Sequence, residues 1–167
     1  PVADVFTVFA VTDKEKGAKG GITAFLVEKD FPGFIRGKED KKMGLRGSYT
    51  CQIIFEDCEV PEENVIGEVG MGYMSALKIL GEGRVGLAAR SVGSCDKLIE
   101  LSARYAKERV QFGKPIASNQ GIQWMIADMA TETEAARALT LKAASLIDEG
   151  KKAIKEASMA KMFATEV

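Results

Sequence analysis

YAKERVQFGKPIASNQ, residues 105–120, interrupts two long helical patterns. Upstream, no proline occurs from Tyr73 to about Lys107. Apolar residues recur there at helical spacing: Ala76, Leu77 and Leu80, then Leu87, Ala88, Val92, Cys95, Leu98 and Ile99. That run amounts to roughly 35 residues, or about 50 Å of helix. Downstream, a second helix is expected from about Gln120 to Asp148, stopped by Gly150 with Lys151 and Lys152 just beyond. A third begins near Ala153. The interruption carries an Arg, a Phe-Gly turn, a Lys-Pro and a Gln, so it forms a polar joint between apolar helices. Long antiparallel helices joined by short loops make a bundle. Three of them leave one groove of a four-helix bundle uncovered, to be closed by further residues or by another chain.

Before the helices the chain reads as β. Asp4–Val11 and Gly21–Glu28 are rich in Val, Ile, Phe and Thr, and the polar, glycine-bearing TDKEKGAKGG joins them as a hairpin loop. Phe31-Pro32-Gly33 marks the next turn, and Phe34–Lys41 is a candidate third strand. Cys51–Val60 alternates, with Cys51, Ile53 and Phe55 on one side. Pro61 closes the region, and PEENVIGEVGMG reads as a linker. The expected fold class is α+β: an antiparallel sheet or barrel portion over residues 1–67, then an incomplete helical bundle over residues 68–167.

Composition excludes several functions. The chain has 167 residues, 46% hydrophobic, with a formal net charge of -1. A dedicated nucleic-acid surface would show a basic excess. No apolar run is long enough to span a membrane, and no signal peptide is visible. Histidine is absent, which removes His-based triads, HExxH zinc sites and His proton shuttles. Cys51, Cys58 and Cys95 are odd in number and lack CxxC spacing, which reads as free thiols in a reducing compartment. GEVGMG has the wrong glycine spacing for a dinucleotide-binding turn. Pro1 opens the chain without Met and Val167 falls within a helical pattern, so a segment of a longer polypeptide is expected.

The candidate site residues each have a plain structural reading. Gly81 and Gly83 inside a helix cost about 1 kcal/mol each relative to Ala. They serve either close helix packing or a surface kept bare for a ligand, with Arg84 beside it to hold an anionic group. Glu82 reads as a solvated carboxylate. Arg109 either opposes the helix dipole or clamps a phosphate. Phe112 reads as loop packing against the bundle, and Gln120 as a helix-terminal residue or a hydrogen-bonding partner for a cofactor. Lys14, Lys16 and Lys19 sit on a hairpin tip, solvated or in contact with the phosphates of a large anion. Trp124, Met125 and Met129 lie at helical spacing and are expected in the core.

Five stretches occur in series: ITAFLVEKDFPGF, KKMGLRGSYT, IIFEDCEVPEENVIGEVGMGY, LGEGR and ERVQFGKP. In order and spacing they resemble the acyl-CoA dehydrogenase family, FAD enzymes of β-oxidation, along essentially the whole chain. The resemblance implies the latter part of a middle β domain followed by the first part of a C-terminal helical domain. It implies an oxidoreductase converting a fatty acyl-CoA to its trans-2-enoyl form, in which a carboxylate removes the α-proton and the flavin takes the β-hydride. Arg109, Phe112 and Gln120 match positions that contact FAD, typically that of the dimer partner. Gly81, Glu82, Gly83 and Arg84 match the helix stretch along the acyl-CoA, and Lys19 lies near its adenosine end.

Many relatives carry Asp where this chain has Gly81, and a minority place the catalytic Glu where it has Gly83. The base is therefore expected beyond Val167, no catalytic residue is assigned within the segment, and the isolated segment is expected to be inactive. The implied partners are the acyl-CoA substrate, an electron-transfer flavoprotein and further copies in a dimer of dimers. The implied compartment is the bacterial cytoplasm, or the mitochondrial matrix for a eukaryotic source. An acyl-CoA oxidase-like flavoprotein and a non-catalytic assembly subunit of the same fold remain as alternatives.

Overall fold

The computed structural model describes residues 2–167, so Pro1 lies outside the described residues. The chain divides into two compact units, with the division between Leu77 and Lys78.

The first unit is built on β1 (Val5–Val11) and β2 (Ile22–Glu28), paired antiparallel from Val5↔Glu28 to Val11↔Ile22. Strands β3 (Phe34–Glu39) and β4 (Cys51–Phe55) form a separate antiparallel pair. The rings of Phe6 and Phe34 lie 4.8 Å apart, and Phe34 meets Phe55 at 5.6 Å, so aromatic contacts join the two sheets. The expected linker after Pro61 does more than connect. A 3-10 turn at Glu62–Asn64 leads into β5 (Val65–Ile66), which adds to the outer side of β2 through Ala24↔Ile66 and Phe25↔Val65. The side-chain amide of Asn64 fastens this edge by donating to the Leu26 carbonyl at 2.7 Å.

Two strands are shorter than their sequence patterns. β4 stops at Phe55 because Asp57 turns into the left-handed region (φ 48°), which ends the extended run before Cys58. β3 stops at Glu39 after a register irregularity between Arg36 and Glu39. All three cysteines are free.

Helix α1 (Gly72–Glu108) starts in the first unit and continues through the second, followed by α2 (Gln120–Asp148) and α3 (Ile154–Glu166). α2 ends where the glycine signal placed it. Gly150 takes φ 72°, its N–H donates to the Ile147 carbonyl, and Lys151 N–H reaches back to Leu146. This is the double bond of a Schellman cap, which needs a left-handed residue.

The helices of the second unit meet along an alanine seam. Ala88 and Val92 of α1, Ala136 and Ala143 of α2, and Ala160 and Ala164 of α3 are buried together, flanked by Val85, Leu139 and Phe163. The spacings of four and seven keep each set on one helix face. Buried Thr133 and Thr140 satisfy their hydroxyls by donating to the Met129 and Ala136 carbonyls within α2. On the rim, Arg137 of α2 bonds Asp96 of α1 at 2.6 Å and also Glu134.

The expected core placement of Trp124 and Met125 is corrected: they are 60% and 63% exposed, while Met129 is half-buried. At about 100° per residue, Trp124 lies roughly 120° around α2 from Ala136. Met125 shares the face of Ala136 but sits about three turns nearer the N-terminus. Among the described residues the buried apolar seam on α2 starts at Ala136, and Met125 lies outside it.

Candidate functional site

The joint between α1 and α2 is a small self-bonded structure. Arg109 N–H closes the last turn of α1 on the Tyr105 carbonyl at 2.8 Å. The chain then forms a hairpin of β6 (Val110–Gln111) and β7 (Lys114–Pro115), in register Val110↔Pro115 and Gln111↔Lys114. Its two-residue turn has φ 50° at Phe112 and φ 78° at Gly113. Both values are positive, as a type I′ turn requires. Glycine accepts this freely, whereas a bulky residue such as Phe is strained there. The Phe112 ring is 99% exposed, so packing against the bundle does not account for its place.

Below the tip, Ile116 N–H donates to the Arg109 carbonyl at 2.8 Å and shuts the hairpin base. A 3-10 turn at Ile116–Ser118 follows, and the Asn119 carbonyl receives the first helical bonds of α2 from Ile122 and Gln123. The Gln123 amide donates to the Ala117 carbonyl at 2.9 Å, and the Ser118 hydroxyl to that of Pro115 at 2.7 Å. Arg109 and Gln120 therefore stand at opposite ends of one continuous hydrogen-bonded piece. Both are exposed. Among the described residues Arg109 has no ion-pair partner. Asn119 places no side chain on the helix start, so the leading N–H groups of α2 stay open, at the positive end of its dipole. A guanidinium, free N–H groups and a primary amide, which can donate or accept, make a donor-rich set beside an exposed aromatic ring. That set suits an anion attached to flat rings, and a flavin dinucleotide, with its pyrophosphate, fits it.

Gly81, Glu82, Gly83 and Arg84 do not form one surface. Successive residues step about 100° around a helix. Gly81 and Arg84 share one side, both half-buried, while Glu82 and Gly83 are exposed on the other. A methyl group added at Gly81 or Gly83 meets nothing within 4 Å among the described residues, so none of these neighbours requires glycine there. Lys19 belongs to the first unit. It is exposed at φ -86°, ψ 77°, just before Gly20 at φ 126°. In the same loop Asp13 receives the Glu15 and Lys16 N–H groups and pairs with the Lys16 ammonium at 3.0 Å. The hydrogen bond from Lys16 holds the Asp13 carboxyl below its ordinary range.

Two features were not read from the sequence. One is the left-handed Phe112, because positive-φ pairs announce themselves as Asn-Gly or Asp-Gly. The other is a fully buried threonine, Thr23, whose only signal is a polar residue within an apolar strand. Among the described residues no group of His, Cys, Asp and Glu is placed to hold a metal ion. No helix among them is long and apolar enough to cross a membrane.

Residues 70–167 match the model of the acyl-CoA dehydrogenase C-terminal domain, and residues 1–58 that of the acyl-CoA dehydrogenase middle domain. The chain belongs to the acyl-CoA dehydrogenase family. It is 51% identical over 164 residues to the acryloyl-CoA reductase (NADH) of Anaerotignum propionicum, covering 98% of this chain and 41% of that protein. It is 49% identical over 167 residues to subunit CarC of the caffeyl-CoA reductase-Etf complex of Acetobacterium woodii, covering 100% of this chain and 44% of that protein. The solved butyryl-CoA dehydrogenase of Megasphaera elsdenii superposes with a TM-score of 0.92 at 44% identity, covering 98% of this chain and 43% of that one. This acyl-CoA dehydrogenase chain thus spans less than half the length of these relatives.

Proposed function

We propose that the chain forms part of an FAD-dependent acyl-CoA dehydrogenase that introduces a trans double bond next to the thioester of a fatty acyl-CoA. The observation that carries this reading is the donor set of the α1–α2 joint, in a chain of this family. Arg109 neutralises the pyrophosphate, Gln120 and the open N–H groups of α2 hydrogen-bond the cofactor, and Phe112 lies against it, typically on the FAD of a partner copy in a dimer of dimers. When bound, FAD supplies the two-electron acceptor for the hydride that leaves the β-carbon.

The chain's own part is binding and orientation. Bare helix surface at Gly81, on the side of Arg84, or at Gly83, on the side of Glu82, gives the thioester arm room. Arg84 offers positive charge, Lys19 is assigned separately to the adenosine end, and Gly81 offers no side-chain contact of its own. No carboxylate of the chain is assigned the α-proton. Glu82 is an exposed helix residue, and Gly83 lacks a carboxyl. The 167-residue chain alone is therefore expected to turn over no acyl-CoA. We assign residues 1–67 to the middle domain and 68–167 to the helical domain. An electron-transfer flavoprotein is the proposed electron partner, supported by the naming of the CarC relative within an Etf complex.

The test is an anaerobic titration of the full-length, FAD-loaded protein with acyl-CoAs of graded length, following flavin absorbance near roughly 450 nm. Bleaching with one length class is expected and names the substrate. Bound FAD that no thioester bleaches overturns the reading. A second reading runs the same chemistry backwards, favoured by the 51% identity to a relative named as an acryloyl-CoA reductase. It predicts that the reduced protein is reoxidised by an enoyl-CoA faster than the oxidised protein is bleached by the saturated form.

A further inference from the structure

The first unit contains a buried polar junction that the proposed chemistry does not use. Thr23, the second residue of β2, is 0% exposed. Its hydroxyl lies 2.8 Å from the Thr12 hydroxyl at the end of β1 and accepts the Gly70 N–H at 2.9 Å. One side chain therefore joins three segments: the two ends of the loop over residues 12–21, and the stretch that enters α1. Backbone contacts tighten the same place. Thr12 and Asp13 N–H groups both donate to the Gly21 carbonyl, at 2.8 and 3.2 Å, and Met71 forms a β-bridge to Ile22. Gly70 sits at φ 85°, so close that a Cβ there would lie 2.4 Å from the Gly20 carbonyl oxygen. Gly70 thus lies directly against Gly20, which adjoins Lys19.

The loop so held is cationic at its surface. Lys16 is engaged by Asp13, while Lys14 and Lys19 are exposed and have no ion-pair partner among the described residues. A charge at the end of a flexible loop loses much of its attraction to the entropy of holding it in place. The loop here is anchored at its base by a satisfied network around buried Thr23, which limits its freedom before any ligand arrives. A buried hydroxyl that accepts from one segment and bonds a second costs desolvation unless both partners are present, so it favours a single arrangement of the three strands of chain.

We infer that Thr23 is a positioning residue: through Thr12 and Gly70 it sets the place of the Lys14–Lys19 loop, and so the binding of the nucleotide end of the acyl-CoA. The inference rests on the reading of Lys19 as a contact to that end, and the test separates the two. Full-length, FAD-loaded protein is titrated calorimetrically with coenzyme A and, separately, with pantetheine, which lacks the nucleotide. Lys19→Ala and Thr23→Val are each expected to weaken coenzyme A by up to about fivefold, the range of one exposed charge contact, and to leave pantetheine unchanged. Thr23→Ser keeps the hydroxyl and is expected to bind both like the parent. If Lys19→Ala weakens coenzyme A but Thr23→Val does not, the positioning role is overturned and the Lys19 contact stands. If Lys19→Ala has no effect, the contact itself is wrong and the inference falls with it. Equal weakening of both ligands by Thr23→Val marks a merely structural residue and also overturns it. Should Thr23→Val fail to fold, Thr12→Val, at the exposed end of the same bond, is judged by the same criteria.

Discussion

Two loops of this chain are presented to solvent by opposite means. The loop over residues 12–21 is fastened from below by a buried side chain, the Thr23 hydroxyl, and by backbone approaches that exclude a Cβ at Gly70. The joint over residues 109–123 has no buried anchor of its own. It keeps its shape through short-range hydrogen bonds within itself, and its strained Phe112 tip stands free. In the first, shape is bound up with the interior, so damage is felt as lost stability. In the second, the side chains that face outwards carry almost none of the shape, so they are free to be chosen for a ligand.

The sharpest way to break this contrast is Gly70→Val. Positive φ and a 2.4 Å approach act together, and the expected loss is about 3 kcal/mol in urea unfolding. A near-neutral result would mean that the linker yields and that the first loop is no better anchored than the second. Arg109→Ala tests the other side. Loss of a charge-assisted contact is expected to weaken FAD retention about tenfold or more, while unfolding moves by no more than about 0.5 kcal/mol. Full flavin occupancy after gel filtration would remove Arg109 from the cofactor site.

Phe112→Asn should split the two properties. It relieves a left-handed aromatic and is expected to stabilise the joint by about 1 kcal/mol, yet to lower flavin retention. Gain of both would show that the ring touches nothing bound. The smallest effect concerns acid. The hydrogen bond from Lys16 depresses the Asp13 carboxyl, so its contribution is present above the unfolded value of 3.8 and lost as pH falls through the folded one. Asp13→Asn should flatten that acid limb in pH-dependent unfolding, and an unchanged limb would show the exposed pair to be idle.

Much of this architecture is legible in the residues themselves. The span of α2 follows from helical periodicity closed by a glycine that the cap requires, and α1 from a proline-free stretch of sustained spacing. Strand lengths are less legible, because β4 ends at an Asp that adopts a left-handed angle, which composition does not announce. Trp124 and Met125 show where periodicity runs out. It identifies a helix face but not whether a neighbour extends far enough to cover it. The site divides in the same way. Arg109 and Gln120 stand out as polar residues in an apolar context, but the opposite facing of Gly81 and Gly83 emerges only once the helix is drawn through both. Thr23 was invisible because a lone hydroxyl in a strand is common, and its partners lie 11 and 47 residues away.

The alanine seam of the second unit makes its tolerance to change one-sided. Where a core is built of Leu and Phe, errors come as holes, and neighbours can relax into them. At Ala88, Ala136, Ala143, Ala160 and Ala164 there is almost nothing left to remove. Nearly every substitution at those positions adds volume, and the only relief is for whole helices to move apart. Variation in this half of the molecule is therefore expected to collect on helix faces turned away from the seam, and an insult to the seam itself to be felt at once along all three helices.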